Sequence, residues 1–359
     1  MDGIDVAILS SDGATVSAIG PARTYAYSDA DRAAIRDAMK DAAGHAPVAE
    51  PPPAFDGLSR LLAERHAAAV RNFMADEGID PADVDLVGFH GQTIRHAPDL
   101  KLTWQIGDGA HLARILNLPV VADFRRADVL AGGEGAPLAP LYHAARLRTS
   151  GLGADHWPVA VVNIGGVGNV TWVAGPGEDD GILAFDTGPG NALIDDWVRA
   201  HHAGDCDRDG RLARGGHAVR ARIARWLELP YFGRTPPKSL DRDEFRDCTV
   251  GDLSLADGAA TLTAFTAATI AAAVRHMPAP PGKVFICGGG RHNPALMRLI
   301  GEELGQEVAP VEDLGWRGDS LEAEAFAYLA VRSLYGLPLS LPTTTGVAAP
   351  MHGGRLFRP

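Results

Sequence analysis

Strands and helices alternate along this chain, and the fold class they predict is α/β, with a mixed sheet in each of two domains. Three observations predict it. The length of 359 residues supplies two domains, or one large one, with ample material for buried cores. Closely spaced apolar, strand-like runs open each half, first at residues 4–9 and 16–19 and again across residues 158–188. Each cluster gives way to segments whose apolar residues recur at helical spacing.

Residues 4–9 and 16–19 read as two strands joined at Ser11-Asp12-Gly13, where the Asp-Gly pair favours a tight hairpin turn. Helical periodicity covers 30–43 and 56–77, with the proline-rich break APVAEPPPAF between them. VDLVGFH and LPVVADFR are buried-strand runs, with a further strand around 103–106. The Gly- and Pro-rich region 132–140 is the expected hinge between halves. PVAVVNIGG, VTWVAG and ILAFDTG then supply three strands in quick succession. Helices are expected at roughly 190–202, 211–228 and 257–277, followed by a strand at KVFICGGG. A helix at 294–304 and a last one at about 319–335 precede the tail LPLSLPTTTG. The expected division sets residues 1–130, with the tail 337–359, against residues 131–336.

Composition narrows the function. Hydrophobic residues at 46% and charged residues at 22% describe an ordinary soluble globular protein. A net charge of -12 argues against a nucleic-acid backbone or an anionic membrane as partner. A local cluster of backbone N–H groups or arginines can still hold a small anion. Cys206, Cys248 and Cys287 lie far apart with no CxxC pair, so neither a disulfide framework nor a structural zinc site is indicated. No basic segment leads into a long apolar one at the N-terminus, and no apolar run is long enough to span a bilayer, so a cytoplasmic location is expected.

The glycine clusters carry the chemistry. In VVNIGGVGNVTWV, Gly166-x-Gly168 suggests a dinucleotide fingerprint, but that reading needs a helix directly after the glycines. The residues after them are β-branched and aromatic, so the unit is strand, glycine turn, strand: either a plain hairpin turn or a place where backbone N–H groups approach an anion. FDTGPGNALIDDW puts Asp186 at the end of an apolar strand, then a Gly-Pro-Gly turn, then a helix. Such a strand end is where α/β proteins place ligands, and a helix N-terminus beside it favours phosphate. Asn191 can cap that helix, which leaves Asp186 spare for chemistry. In VFICGGGRHNPALMRL three glycines between strand and helix offer either exposed backbone for a flat ligand such as an adenosine, or a loose loop.

His90, Gln92, Arg95 and Arg125 stand just past apolar strands and suit a polar ligand, with or without a carboxylate, arginine being the residue suited to bidentate contact. His96 and His143 lack such a context and read as surface or core histidines. Asp205, Asp207, Asp209 and Gly210 begin like a calcium loop, but Gly216 stands where the closing carboxylate belongs, so a solvated turn is expected. Glu322 and Glu324 sit on an otherwise apolar helix, either one facing a cleft or both solvated.

Together, MDGIDVAIL, HGQTIRH, VVADFRRADVLAGGEGAPL, NIGGVGNVT, FDTGPGN, CGGGRHNP and EAEAFAYLA resemble the 1,6-anhydro-N-acetylmuramic acid kinases, in family order over essentially the whole chain. The resemblance implies the actin-like ATPase fold of sugar kinases and heat-shock ATPases: two domains with ribonuclease-H-like mixed sheets and a nucleotide cleft between them. It implies ATP and Mg²⁺ as cofactors, a small anhydro-sugar substrate, and cell-wall recycling as the setting. Asp186 matches the family's catalytic base. By the same carry-over Asp2, Gly3, Gly165, Gly166, Gly168, Asn169, Gly188, Gly288, Gly289, Gly290 and Asn293 would hold the nucleotide, with Asp2 facing the metal. His90, Gln92, Arg125 and Glu322 would line the sugar pocket. Mg²⁺ is expected to arrive with ATP, and a homodimer is left open. Family members carry Gly-Thr-Ser just before the segment matching MDGID, and this chain does not. The expectation is that Met1 is an internal methionine preceded by about a dozen further residues, one short strand and its turn. The alternative is a non-catalytic sugar- or nucleotide-binding relative.

Overall fold

The computed structural model describes residues 3–177, 181–240 and 244–359. It is α/β and divides into two compact units, Met1–Thr149 with Ser320–Pro359, and Ser150–Asp319. The division thus falls after residue 149 rather than in the glycine-rich stretch 132–140, and the last long helix goes with the first unit.

The first unit opens with β1 (Gly3–Ser11) and β2 (Val16–Ala26), an antiparallel pair. Asp12 makes the turn: its Oδ1 accepts the N–H groups of Ala14 and Thr15 at 2.9 and 2.7 Å, while Gly13 takes φ +84°. The helix α1 (Asp29–Ala42) begins at a capping box in which Ser28 and Asp31 satisfy each other's backbone N–H. After α2 (Asp56–Glu77) come β3 (Val87–Gly88), β4 (Gln92–Ala97) and β5 (Leu102–Ile106). Then α3 (Gly109–Leu116), β6 (Val120–Ala122), α4 (Arg126–Leu130) and α5 (Pro140–Arg148) follow. The hairpin partner β4, and both α3 and α5, go beyond the sequence expectation, because segments of six to nine residues are too short to show a clear period. One core gathers Ile4, Ile35, Leu62 and Trp104, and a second gathers Phe89, Leu112 and Val120.

The second unit is built on β7 (Val159–Ile164), β8 (Val167–Val173) and β9 (Ile182–Pro189), the three strands expected. Then come α6 (Ala192–Ala200), α7 (Arg211–Arg214), α8 (Arg220–Trp226), α9 (Pro230–Gly233) and α10 (Leu255–Ala273). The strand β10 (Lys283–Cys287), α11 (Pro294–Leu304) and β11 (Val308–Pro310) complete it. The sheet order is β11-β10-β7-β8-β9: β7, β8 and β9 run antiparallel in turn, while β10 and β11 run parallel to β7. This is a mixed sheet of the ribonuclease-H-like kind. Val162, Val170, Phe185, Ile270, Ile286 and Leu296 form its core.

Two expectations need correction here. The single helix expected at 211–228 is broken, because Gly216 packs on the backbone of Ala256, where a Cβ would lie 2.1 Å from the Ala256 carbonyl. Among the described residues one segment, Leu255–His276, is long and apolar enough to cross a membrane, contrary to the sequence reading. It is 78% buried within the protein and serves as a core helix.

The chain then returns to the first unit with α12 (Leu321–Leu334), α13 (Pro342–Thr345) and β12 (Arg355–Phe357). There β12 pairs antiparallel with β6, which also pairs parallel with β3.

Candidate active site

Register collects the second unit's glycines along one edge of its sheet. Ile164 pairs with Gly168, Val167 with Pro189, and Cys287 with Asn163. The carboxyl ends of β7, β9 and β10 therefore stand side by side; Gly188 lies in the last residues of β9, and the turns that leave the three strands carry Gly165, Gly166, Gly190, Gly288, Gly289 and Gly290. Ligands of open α/β sheets bind at such an edge. The turns are tied to one another. Gly190 and Asn191 donate their N–H groups to the carbonyls of Gly166 and Gly165 at 2.9 and 2.7 Å. Contrary to the sequence reading, the Asn191 side chain does not cap α6; its amide instead donates to the Ile164 carbonyl at 3.1 Å. Arg291, buried between Glu312 and Asp319 at 2.8 Å each, donates to the Gly288 carbonyl at 2.9 Å.

The glycines divide into two kinds. A Cβ on Gly168 would meet Thr187 Oγ1 at 2.7 Å, on Gly188 the Thr269 side chain at 2.7 Å, and on Gly290 the Ile164 side chain at 2.5 Å. Gly288 combines φ +73° with Asn163 Oδ1 2.4 Å from such a Cβ. Internal packing accounts for glycine at these four positions. At Gly165, Gly166 and Gly289 the nearest atoms would be 3.7 to 3.9 Å away, so packing does not demand glycine there and backbone is left open to a ligand. Gly3, likewise, is closed by the Tyr25 carbonyl, 2.6 Å from a Cβ. Asp2 lies outside the described residues. Asn293 is the N-cap of α11, its Oδ1 accepting from Ala295 and Leu296 N–H at 3.1 Å each.

Asp186 sits in β9 opposite Asn169, which in turn pairs with Asn163. It is 8% exposed. The Leu240 N–H donates to its Oδ2 at 2.8 Å, Tyr231 Oη donates to its carbonyl at 2.6 Å, and its own N–H donates to the Lys238 carbonyl at 3.0 Å. Lys238, buried, donates to the Tyr231 carbonyl at 3.1 Å with its ammonium 4.6 Å from the Tyr231 ring centre. Burial, with Arg275 and Arg234 nearby, brings its pKa down to about 8. Sequence reading missed Tyr231 and Lys238. The available signal was that Lys238, following two prolines, is one of only four lysines.

In the first unit, Arg125 Nε and Nη2 donate to His90 Nε2 at 3.1 and 3.0 Å, and Nη1 donates to the Gly135 carbonyl at 2.8 Å. His90 also borders a cavity of about 370 Å³ lined with Ser59, Gln105, Asp123, Arg126 and Arg355. Within it Arg126 is paired with Asp123 at 2.6 Å and with Glu50. Gln92 donates to the Thr93 carbonyl at 3.1 Å. Arg95 is structural: it donates to the Ala42 and His45 carbonyls at 3.0 and 2.7 Å and stacks on Trp104. The two glutamates of α12 separate cleanly. Glu324 is fully buried against Tyr142 and Arg146, while Glu322, on the same turn, is exposed. His96 is bonded at both ring nitrogens, to Thr103 and to the Glu134 carbonyl. Asp207 is not solvated: it is buried and accepts the Leu212 and Ala213 N–H groups at 2.8 and 3.0 Å. Among the described residues no group of three or more His, Cys, Asp or Glu side chains could hold a metal ion.

These features define an α/β protein whose second unit presents open glycine backbone and a buried carboxylate at one sheet edge, an arrangement suited to phosphate chemistry. The family model for anhydro-N-acetylmuramic acid kinase matches residues 1–359. Relatives of that name are 48% identical over 369 residues in Methylobacterium nodulans, covering 100% of this chain and 97% of the relative. In Paramagnetospirillum magneticum the figures are 50% over 358 residues, 99% and 96%, and in Acidiphilium cryptum 51% over 362 residues, 100% and 96%. A solved xylulose kinase from Lactobacillus acidophilus overlaps only in part, at 14% identity and TM-score 0.32, covering 61% of this chain and 45% of that one. The chain belongs to the anhydro-N-acetylmuramic acid kinase family. It is therefore an enzyme, a transferase of the kinase class acting in carbohydrate metabolism.

Proposed function

We propose that the chain opens 1,6-anhydro-N-acetylmuramic acid with water and phosphorylates O6 with ATP, giving N-acetylmuramate 6-phosphate and ADP. The observation that carries this reading is the family match over residues 1–359. Asp186 is the base. Its carboxylate, oriented by the Leu240 N–H, takes a proton from water as the water oxygen bonds to C1 and the C1–O6 bond breaks. O6 then bonds to the γ-phosphorus as the bond to the ADP oxygen breaks. Gly165, Gly166 and Gly289 are the open backbone positions assigned to the nucleotide, with Gly168, Asn169 and Gly188 in the strands beside them and Gly288, Gly290 and Asn293 in the loop after β10. Mg²⁺ would be carried by ATP rather than by a cluster of side chains among the described residues, and when bound would supply charge neutralisation at the transferred phosphoryl group. Arg125, Gln92 and Glu322 are assigned to the sugar. The reaction fits cell-wall recycling in the cytoplasm.

A non-catalytic binding role is not favoured, since a pure binder has no need of a base held as Asp186 is. The test is ADP release from Mg-ATP in the presence of the anhydro sugar. Asp186→Asn should abolish turnover while leaving ATP binding intact; a variant that kept most of its activity would sink the base assignment.

A further inference from the structure

The His90 imidazole is engaged at both nitrogens. Nδ1 lies 2.9 Å from the Gly91 carbonyl oxygen, and since a carbonyl only accepts, Nδ1 carries the proton. Nε2 is then the acceptor, and both contacts to it come from Arg125, at 3.1 and 3.0 Å. Burial and the Arg125 charge bring the ring's pKa down to about 3, so it stays an acceptor throughout the working pH range. A ring spent in this way has no nitrogen left with which to recognise a ligand.

Arg125 is held from its other sides as well. Nη1 donates to the Gly135 carbonyl at 2.8 Å, and the Gly135 N–H donates to Asp128 Oδ1 at 2.7 Å. Asp128, 2% exposed, also accepts from Ser340 and from Thr345 Oγ1, the latter at 2.6 Å. The Phe326 ring lies 5.6 Å from the guanidinium carbon and 4.3 Å from the imidazole, centre to centre. A long, flexible side chain is thus fixed by groups that have their own anchors. Such support is what a recognition arginine needs, because orientation lost before binding must be recovered on binding.

We propose that His90 is a positioning residue: it does not touch the sugar but holds the Arg125 guanidinium in the orientation that receives the substrate's carboxylate. This rests on the assignment of Arg125 to the sugar and replaces the direct contact expected of His90. Asp128 acts at one further remove, by holding the Gly135 carbonyl under Nη1.

The test compares His90→Phe, which keeps a ring against Phe326 but has no acceptor, with His90→Gln, whose Oε1 can replace Nε2. Both lose the bond to the Gly91 carbonyl, so their difference isolates the acceptor. ADP release by the unaltered chain comes first and judges the proposed reaction separately. In His90→Phe, KM for the anhydro sugar should rise roughly tenfold to a hundredfold, the usual cost of one hydrogen bond to a charged group. KM for ATP should stay within about twofold, and kcat should fall far less than 1/KM. His90→Gln should recover most of the loss. Equal losses in the two variants would mean direct contact by the imidazole and overturn the proposal. A parallel rise in both KM values would reduce His90 to a structural role and overturn it too. If Arg125→Ala left the sugar KM unchanged while turnover continued, both the Arg125 assignment and this proposal would fall.

Discussion

Replacing Glu324 by alanine should destabilise the first unit far more than replacing Glu322, although the two stand on the same turn of α12. Glu324 is 0% exposed and accepts from Tyr142 Oη and from Arg146 Nη1, the latter at 3.2 Å. The Arg146 side chain is only 11% exposed, so removing the carboxylate leaves a largely buried guanidinium and a buried phenol without this partner. Breaking a buried pair from one side costs about 3–5 kcal/mol. In a unit of this size each kcal/mol moves the melting temperature by roughly 2–4 °C, so a fall of roughly 6–20 °C is expected. Glu324→Gln, which keeps the shape and an acceptor, should lose less than half of that. Glu322→Ala, at an exposed position, should stay within about 0.5 kcal/mol of the parent while raising KM for the sugar. Calorimetric melting of the three variants makes the measurement. Equal shifts for the Glu324→Ala and Glu322→Ala variants, or a Glu324→Ala shift under about 2 °C, would refute the assignment of the buried pair.

The two kinds of glycine should part in the same assays. Gly190→Ala would drive a Cβ to 2.3 Å from the Gly165 carbonyl and should lower the melting temperature, whereas Gly166→Ala, whose Cβ would sit in ordinary contact 3.9 Å from the Ala192 Cβ, should melt like the parent yet raise KM for ATP. Identical nucleotide KM values in Gly166→Ala and the parent would remove Gly166 from the site. Stability should also fall as pH drops below about 6.5. Burial holds His66, His90 and His143 down at about 4, 3 and 4, so between these values and the unfolded pKa the unfolded chain binds protons that the folded chain refuses. Asp123, which burial pushes up to about 6, carries the opposite sign. Three histidines less one aspartate leave a net difference of about two protons near pH 5, at most roughly 3 kcal/mol per pH unit. Urea midpoints at pH 5 and pH 7 that coincide would contradict this.

Long periodic segments were legible in the sequence because their signal is local. The apolar runs that make β7, β8 and β9, the capped helices α1 and α11, and the Asp-Gly turn after β1 each depend on neighbours within a few residues. So does the strand after Gly168 that excludes a dinucleotide fold. The short elements were not legible: β4 exists because β5 pairs with it, and β11 because β10 does. The break at Gly216 answers to Ala256, forty residues away in the chain and in contact only once α10 is in place.

For the candidate site the division is similar. Sequence alone determined which residue types could do the chemistry: a carboxylate at a strand end, three glycine turns, an arginine past a strand, and the family to which they belong. Tertiary structure decided which of them have their hydrogen-bonding capacity already spent. Asn191, Asn293, Arg95 and Glu324 are consumed by internal partners, and His90 is consumed by Arg125. Gly165, Gly166 and Gly289 are left open where Gly168, Gly188 and Gly290 are filled. The reason is physical: residue type fixes what a group can donate or accept, but only packing between distant segments fixes whether that capacity remains for a ligand.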